Sequence, residues 1–219
     1  MDLVEMFGKK QASSSIKTYK YQFIILFLTV FLVAGCVSVR GAFHNYKQSR
    51  NGPYKEALKR WTAEARVYRG FETIYLVTAT YRSADFCRAY VRKYAQDYHL
   101  DAAAKARMLA DELALADKSL EFILAVYAAE KKKINLDSRD SLWRVYLEGE
   151  SLDRQSPIEI RSLKKEQVRL KEFYPYISPW VEVYRVRFQS VPLSRSVTSL
   201  HLVQTGVLGT ARLIFSLRE

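Results

Sequence analysis

Two thiols, three imidazoles and an excess of guanidinium groups are the side chains in this 219-residue chain best suited to chemistry. Cys36 closes a run of thirteen uncharged residues, Phe23 to Gly35, where an exposed thiol could be acylated. Cys87 falls among Tyr90, Val91 and Tyr94 at helical spacing, which predicts a buried, inert thiol and not a nucleophile. His44, His99 and His201 have no second histidine or cysteine two, three or four residues away, so no zinc-type spacing exists. No metal or other cofactor is expected. Asp137 and Asp140 could ligate calcium, but both residue types are ordinary turn formers. No G-x-S-x-G, S-x-x-K or phosphate-cradling loop occurs, and Gly206–Gly209 is short and apolar, as for a hairpin. A non-catalytic protein is therefore expected. The tyrosines that could stack on sugars mostly occupy apolar-face positions, where packing accounts for them.

The arginines are the remaining candidates. Arg144, Arg185, Arg187, Arg212 and Arg218 take solvent-side positions of strands expected to neighbour one another in one sheet. Together they would make a cationic patch for phosphate headgroups, lipopolysaccharide or an acidic partner protein; Glu148 and Glu182 are the candidate counter-charges that would reduce it to a solvated face.

Position in the cell follows from the first forty residues. Lys9, Lys10, Lys17 and Lys20 precede the apolar run, whose length suits a signal-peptide core and falls short of the roughly 20 residues of a spanning helix. It ends on Val33-Ala34-Gly35-Cys36. This tetrapeptide resembles the lipobox of bacterial lipoproteins. The resemblance covers the leader and the first mature residue, and beyond it the chain resembles no family. It implies cleavage before Cys36 and a lipid on the Cys36 thiol, which would attach the protein to the membrane. Two or three acyl chains, at about 0.8 kcal/mol per buried methylene, make a stable anchor. The alternative is an uncleaved signal anchor from Tyr21 to Val39. Asp2 and Glu5 are unusual in a leader, so Met6 is a second candidate start. Residue 37 is valine and not the aspartate that commonly retains such proteins at the inner membrane, which points to the outer membrane, facing the periplasm.

The net charge is +12, and with four basic and two acidic residues ahead of Cys36, the mature chain keeps 31 against 21. Export separates that charge from nucleic acid and leaves anionic lipid or an envelope protein as its partner. With 49% hydrophobic and 26% charged residues the chain can bury a core, and with Cys36 lipidated it must do so without a disulfide.

The elements that would position these groups alternate between two periods. Residues 1–35 form the leader, 36–60 a polar tether with a short helix after Pro53, and 61–219 one domain. Residues 65–81 read as a strand, a turn at Gly70 and a longer strand. Residues 83–118 read as a helical hairpin, with Ser83 as N-cap and Ala102, Ala106, Leu109, Leu113 and Ala116 as a packing seam. Leu120–Ala129 is apolar on both faces, and Leu142–Glu148, Val181–Gln189, Ser199–Gln204 and Thr210–Leu217 follow as strands, with Pro157–Leu163 an edge and Lys164–Phe173 a short charged helix. This is a mainly β pattern with a helical insertion: an Ig-like two-sheet β-sandwich carrying a helical hairpin between its second and third strands. The alternative is an α+β sheet with both helices on one face.

The expected function is that of a membrane-anchored envelope lipoprotein acting as an interaction or assembly module. A carrier of an apolar ligand, held between hairpin and sheet, is the second reading, and an envelope hydrolase the third.

Overall fold

Strict alternation is clearest at the C-terminus, where Ala211, Leu213 and Phe215 are buried while Thr210, Arg212, Ile214 and Ser216 are exposed. A strand of this kind covers a core with one face and meets water with the other. The computed structural model describes residues 52–129, 134–150, 152–190, 197–207 and 209–218. Cys36, His44 and the leader lie outside the described residues.

Among the described residues the elements run α1 (52–60), β1 (Thr62–Arg69), β2 (Glu72–Tyr81), α2 (Ala84–Asp97), α3 (Ala102–Lys118), β3 (Ser119–Ala128), β4 (Trp143–Gly149), β5 (Leu152–Gln155), β6 (Glu159–Ser162), α4 (Gln167–Phe173), β7 (Glu182–Gln189), β8 (Ser199–Gly206) and β9 (Gly209–Ser216). They form two antiparallel sheets, β1-β2-β3-β7-β6 and β5-β4-β8-β9. The protein is thus a mainly β two-sheet sandwich with a helical insertion, and the hairpin sits between the second and third strands. Its insertion needs no crossover. β2 and β3 are antiparallel neighbours with Tyr81 opposite Phe122, so the hairpin replaces a turn.

The core lies between the sheets. Phe122 of β3 contacts Phe188 and Phe215 at ring distances of 5.9 and 5.3 Å, and Tyr75 of β2 stacks on Trp143 of β4 at 3.9 Å. β3 is buried on both faces, as its unbroken apolar run predicts, because a helical layer covers the other side of the five-stranded sheet. There the Tyr176 hydroxyl reaches Thr80 at 2.8 Å and the Ile123 carbonyl at 3.2 Å. Tyr174 and Phe173 stack on Phe86 and Tyr94 of α2.

Two expectations need correction, and one strand goes unread. The folded unit starts at Pro53 and not near Trp61, since α1 belongs to it. Tyr54 is buried against Phe86 and Phe173, and its hydroxyl donates to the Phe173 carbonyl at 2.6 Å. The seam of α3 is not a buried one. Ala102 and Ala106 are exposed, Leu109, Leu113 and Ala116 are half-buried, and no α3 residue is fully buried, because α3 is outermost and rests mainly on α2. Finally β5, a four-residue edge strand too short to show a period, goes unread in the sequence.

The capping reads well. Ser83 Oγ accepts from the Phe86 amide at 3.1 Å, and Asp101 caps α3 through the Ala104 amide at 2.7 Å. His99 takes a left-handed conformation (φ 52°) after α2, while the Leu100 amide reaches back to the Ala95 carbonyl at 2.9 Å. That is a Schellman-type ending, with histidine where glycine is usual.

Candidate interaction surfaces and the buried charge network

The five arginines do not share one sheet. Arg185 and Arg187 lie on β7 of the five-stranded sheet, whereas Arg144 and Arg212 lie on β4 and β9 of the four-stranded one. Arg218 follows the end of β9. Alternation puts the four strand arginines opposite core-facing neighbours as expected. The error is in pairing: β7 joins β3 and β6, and β4 joins β8, so the single patch is divided between the two sheets.

The β7 pair is neutralised. Arg187 Nε and Nη1 donate to Glu121 Oε2 at 2.6 Å and to Glu159 Oε2 at 2.9 Å, and Arg185 lies 3.8 Å from Glu159. Glu121 also accepts from Arg82 Nε at 3.0 Å, and Arg82 Nη2 pairs with Glu112 of α3. Arg82 Nη1 donates to the Tyr174 hydroxyl at 2.8 Å, and the guanidinium lies 4.9 Å from the Tyr90 ring centroid. An alternating chain Glu112–Arg82–Glu121–Arg187–Glu159–Arg185 therefore ties α3 across the ends of β2 and β3 to β7 and β6. Burial opposes the charge on Arg82, but Tyr174, Glu112 and Glu121 outweigh it and hold its pKa well above the usual range. It is a permanent cation inside the fold.

The other outer face keeps a smaller cationic group. Arg144, Tyr146 and Glu148 alternate outward along β4, and Arg212 Nη1 lies 2.9 Å from Glu148. Arg154 of β5 sits 3.6 Å from the same carboxylate, with its guanidinium 4.1 Å from the Tyr146 ring centroid. Two arginines thus flank one carboxylate on an exposed sheet face, with Arg144 exposed further along β4. Arg154 was missed because its strand was missed.

Cys87 is buried, and burial raises its pKa to about 11, with Arg82 opposing and Glu112 adding to the shift. Alkylation of the folded protein near neutral pH is therefore expected to be slow and to proceed only as fast as the domain opens, whereas Cys87→Ala should cost about 1 kcal/mol in urea titration. Rapid reaction in the native state would disprove the buried assignment. His201 Nε2 lies 3.0 Å from Ser199 Oγ within its own strand. Asp137 and Asp140 are exposed in the β3–β4 loop. Among the described residues no group of three or more His, Cys, Asp or Glu is placed to hold a metal, and no helix is long and apolar enough to cross a membrane.

One further surface was not anticipated. Tyr68 and Phe71 at the β1–β2 turn, Val207 at the β8–β9 turn and Leu142 ahead of β4 are all large and exposed. The only hint in the sequence is two hairpin turns, Tyr-Arg-Gly-Phe and Gly-Val-Leu-Gly, with apolar residues where polar ones are usual.

No family model, no curated protein and no solved structure matches this chain.

Proposed function

We propose that this protein is a lipid-anchored, non-catalytic lipoprotein of the bacterial envelope, at the outer membrane facing the periplasm, whose sandwich serves as an interaction or assembly module. The anchor is the Cys36 thiol, on the strength of the lipobox-like Val33-Ala34-Gly35-Cys36. The observation that carries the module is the exposed face of the four-stranded sheet, where Arg154 and Arg212 flank Glu148 beside Tyr146 and Arg144 lies exposed on the same strand. Arginine with tyrosine is a composition enriched at binding interfaces, and the excess positive charge selects an acidic envelope protein as partner. A carrier would need room between the hairpin and the sheet. That region is occupied by Phe86, Tyr90, Phe173 and Tyr174 in mutual ring contact, which favours the module over the carrier.

Two measurements test this. Metabolic labelling with a fatty acid should mark the wild type, whose mature mass begins at Cys36, and leave Cys36→Ala unmarked; an uncut, unlabelled wild type would establish the signal anchor instead. A photo-crosslinking residue in place of Tyr146 should give an adduct in intact envelopes. Arg144→Glu with Arg154→Glu should abolish that adduct and alter stability by no more than about 1 kcal/mol, because exposed charges contribute little to folding. An adduct indifferent to charge reversal would remove the sheet face from consideration.

A further inference from the structure

We propose that the end of the sandwich bearing Tyr68, Phe71, Leu142 and Val207 inserts into the interfacial zone of a phospholipid bilayer. The topology gathers these residues. Arg69 pairs with Glu72, so Gly70 and Phe71 form the two-residue tip of the β1–β2 hairpin, and Gly70 at φ 61° supplies the conformation such a turn demands. A register shift between Val67 and Tyr68 bends the strand just before the tip. The β8–β9 hairpin lies alongside it. A Cβ on Gly209 would stand 2.7 Å from Val67 Cγ1, and one on Gly206 2.4 Å from the Leu142 carbonyl oxygen, so glycine alone lets these segments approach so closely.

The side chains project. Phe71 is 106% exposed relative to an extended reference, Val207 77%, Tyr68 57% and Leu142 46%. Single exposed apolar residues are ordinary, but four on neighbouring tips are a feature. Their arrangement chooses the occupant. Separate tips on turns make a convex set, which a fluid acyl region admits without a matching pocket. The polar groups among them fit as well: Arg69 lies between Tyr68 and Phe71, and tyrosine with arginine is suited to headgroup depth, above a buried phenyl ring.

The inference is independent of the acyl anchor and of the arginine sheet face, and the test keeps them apart. In full-length protein reconstituted into phosphatidylethanolamine–phosphatidylglycerol vesicles, Phe71→Trp should add tryptophan emission that is quenched by bromine on the upper acyl chain. No added quenching over wild type would overturn the proposal. Residues 53–219 form one compact unit with a continuous core and so can be examined without the leader. Their binding to the same vesicles should fall about tenfold on Phe71→Ser, the effect of withdrawing one phenyl ring from an apolar phase, and further with Val207→Ser. Equal binding by variant and wild type would count against insertion. So would concentration-dependent dimerisation abolished by Phe71→Ser, which would make this end a contact between two copies.

Discussion

Arg82→Leu is expected to remove about 3–5 kcal/mol of stability, a large part of the 5–15 kcal/mol typical of a domain. The guanidinium holds Glu121 at 3.0 Å, pairs with Glu112, and donates to the Tyr174 hydroxyl at 2.8 Å. Its side chain is only 10% exposed, and those of Glu112 and Glu121 are 19 and 13% exposed. Leucine would leave Glu112 without its ion-pair partner and Glu121 with Arg187 alone, both with little access to water. Breaking one member of a buried ionic cluster costs more than the cluster contributes, because the charges left behind lose solvent as well as partner. A second substitution separates that explanation from lost packing. Glu112→Leu added to Arg82→Leu removes one orphaned carboxylate and should recover a third or more of the loss in urea titration. No recovery would mean that the guanidinium acts through its stacking on Tyr90, 4.9 Å away, and not through charge. Amide exchange gives an independent reading. As α3 buries no residue fully, Glu112 is a principal tie to the sheet, and α3 amides should lose protection before those of α2.

The same cluster shows what a single sequence can and cannot reveal. Strand positions and faces were legible because burial alternates with a period of two: Tyr184, Val186 and Phe188 point inward and Arg185 and Arg187 outward, as the pattern requires. Helix ends were legible where a side chain closes them, as Ser83 does. Pairing was not legible. Which strand lies beside β7 depends on contacts 28 and 66 residues away, Glu159 and Glu121 to Arg187, and no local period encodes them. The five arginines are therefore expected in one sheet, whereas four of them divide between two and Arg218 lies beyond the end of β9, and Arg185 and Arg187 are tied to Glu121 and Glu159. Burial at the edges failed for a related reason. Pro53 and the polar residues around it suggest a tether, but Tyr54 fills a gap that exists only once α2 and Phe173 are in place. The apolar turn tips were visible as text, yet their meaning depends on two hairpins standing side by side.

Above pH 10 the domain is expected to lose stability steeply and to unfold near pH 11. Tyr54, Tyr75, Tyr81, Tyr174 and Tyr184 are each no more than 5% exposed, and burial raises the pKa of every one. Tyr81, Tyr174 and Tyr184 are pushed to about 12, Tyr54 and Tyr75 beyond it. For Tyr174 the Arg82 guanidinium pulls the other way, and desolvation still prevails. Hydrogen bonding reinforces the neutral form at three of them. Tyr54 donates to the Phe173 carbonyl, Tyr75 to Gln204 and Tyr184 to the Ile134 carbonyl, bonds that the phenolate could not make. A group whose folded pKa is raised contributes its full stability below the unfolded value, near 10 for tyrosine, and loses it as pH climbs toward the folded value. Between those limits each phenol costs about 1.4 kcal/mol per pH unit, so five of them at pH 11 remove roughly 5 kcal/mol or more. Cys87, raised to about 11, adds to the loss from about pH 9 upward. Absorbance of the buried tyrosinates and circular dichroism should then change together in one cooperative step. Tyr81→Phe should move that step to higher pH relative to its own stability at neutral pH, since it deletes one of the linked protons. A tyrosinate titration complete near pH 10 with the fold still intact would show that these rings meet water, and the aromatic layer on both faces of the five-stranded sheet would have to be rebuilt.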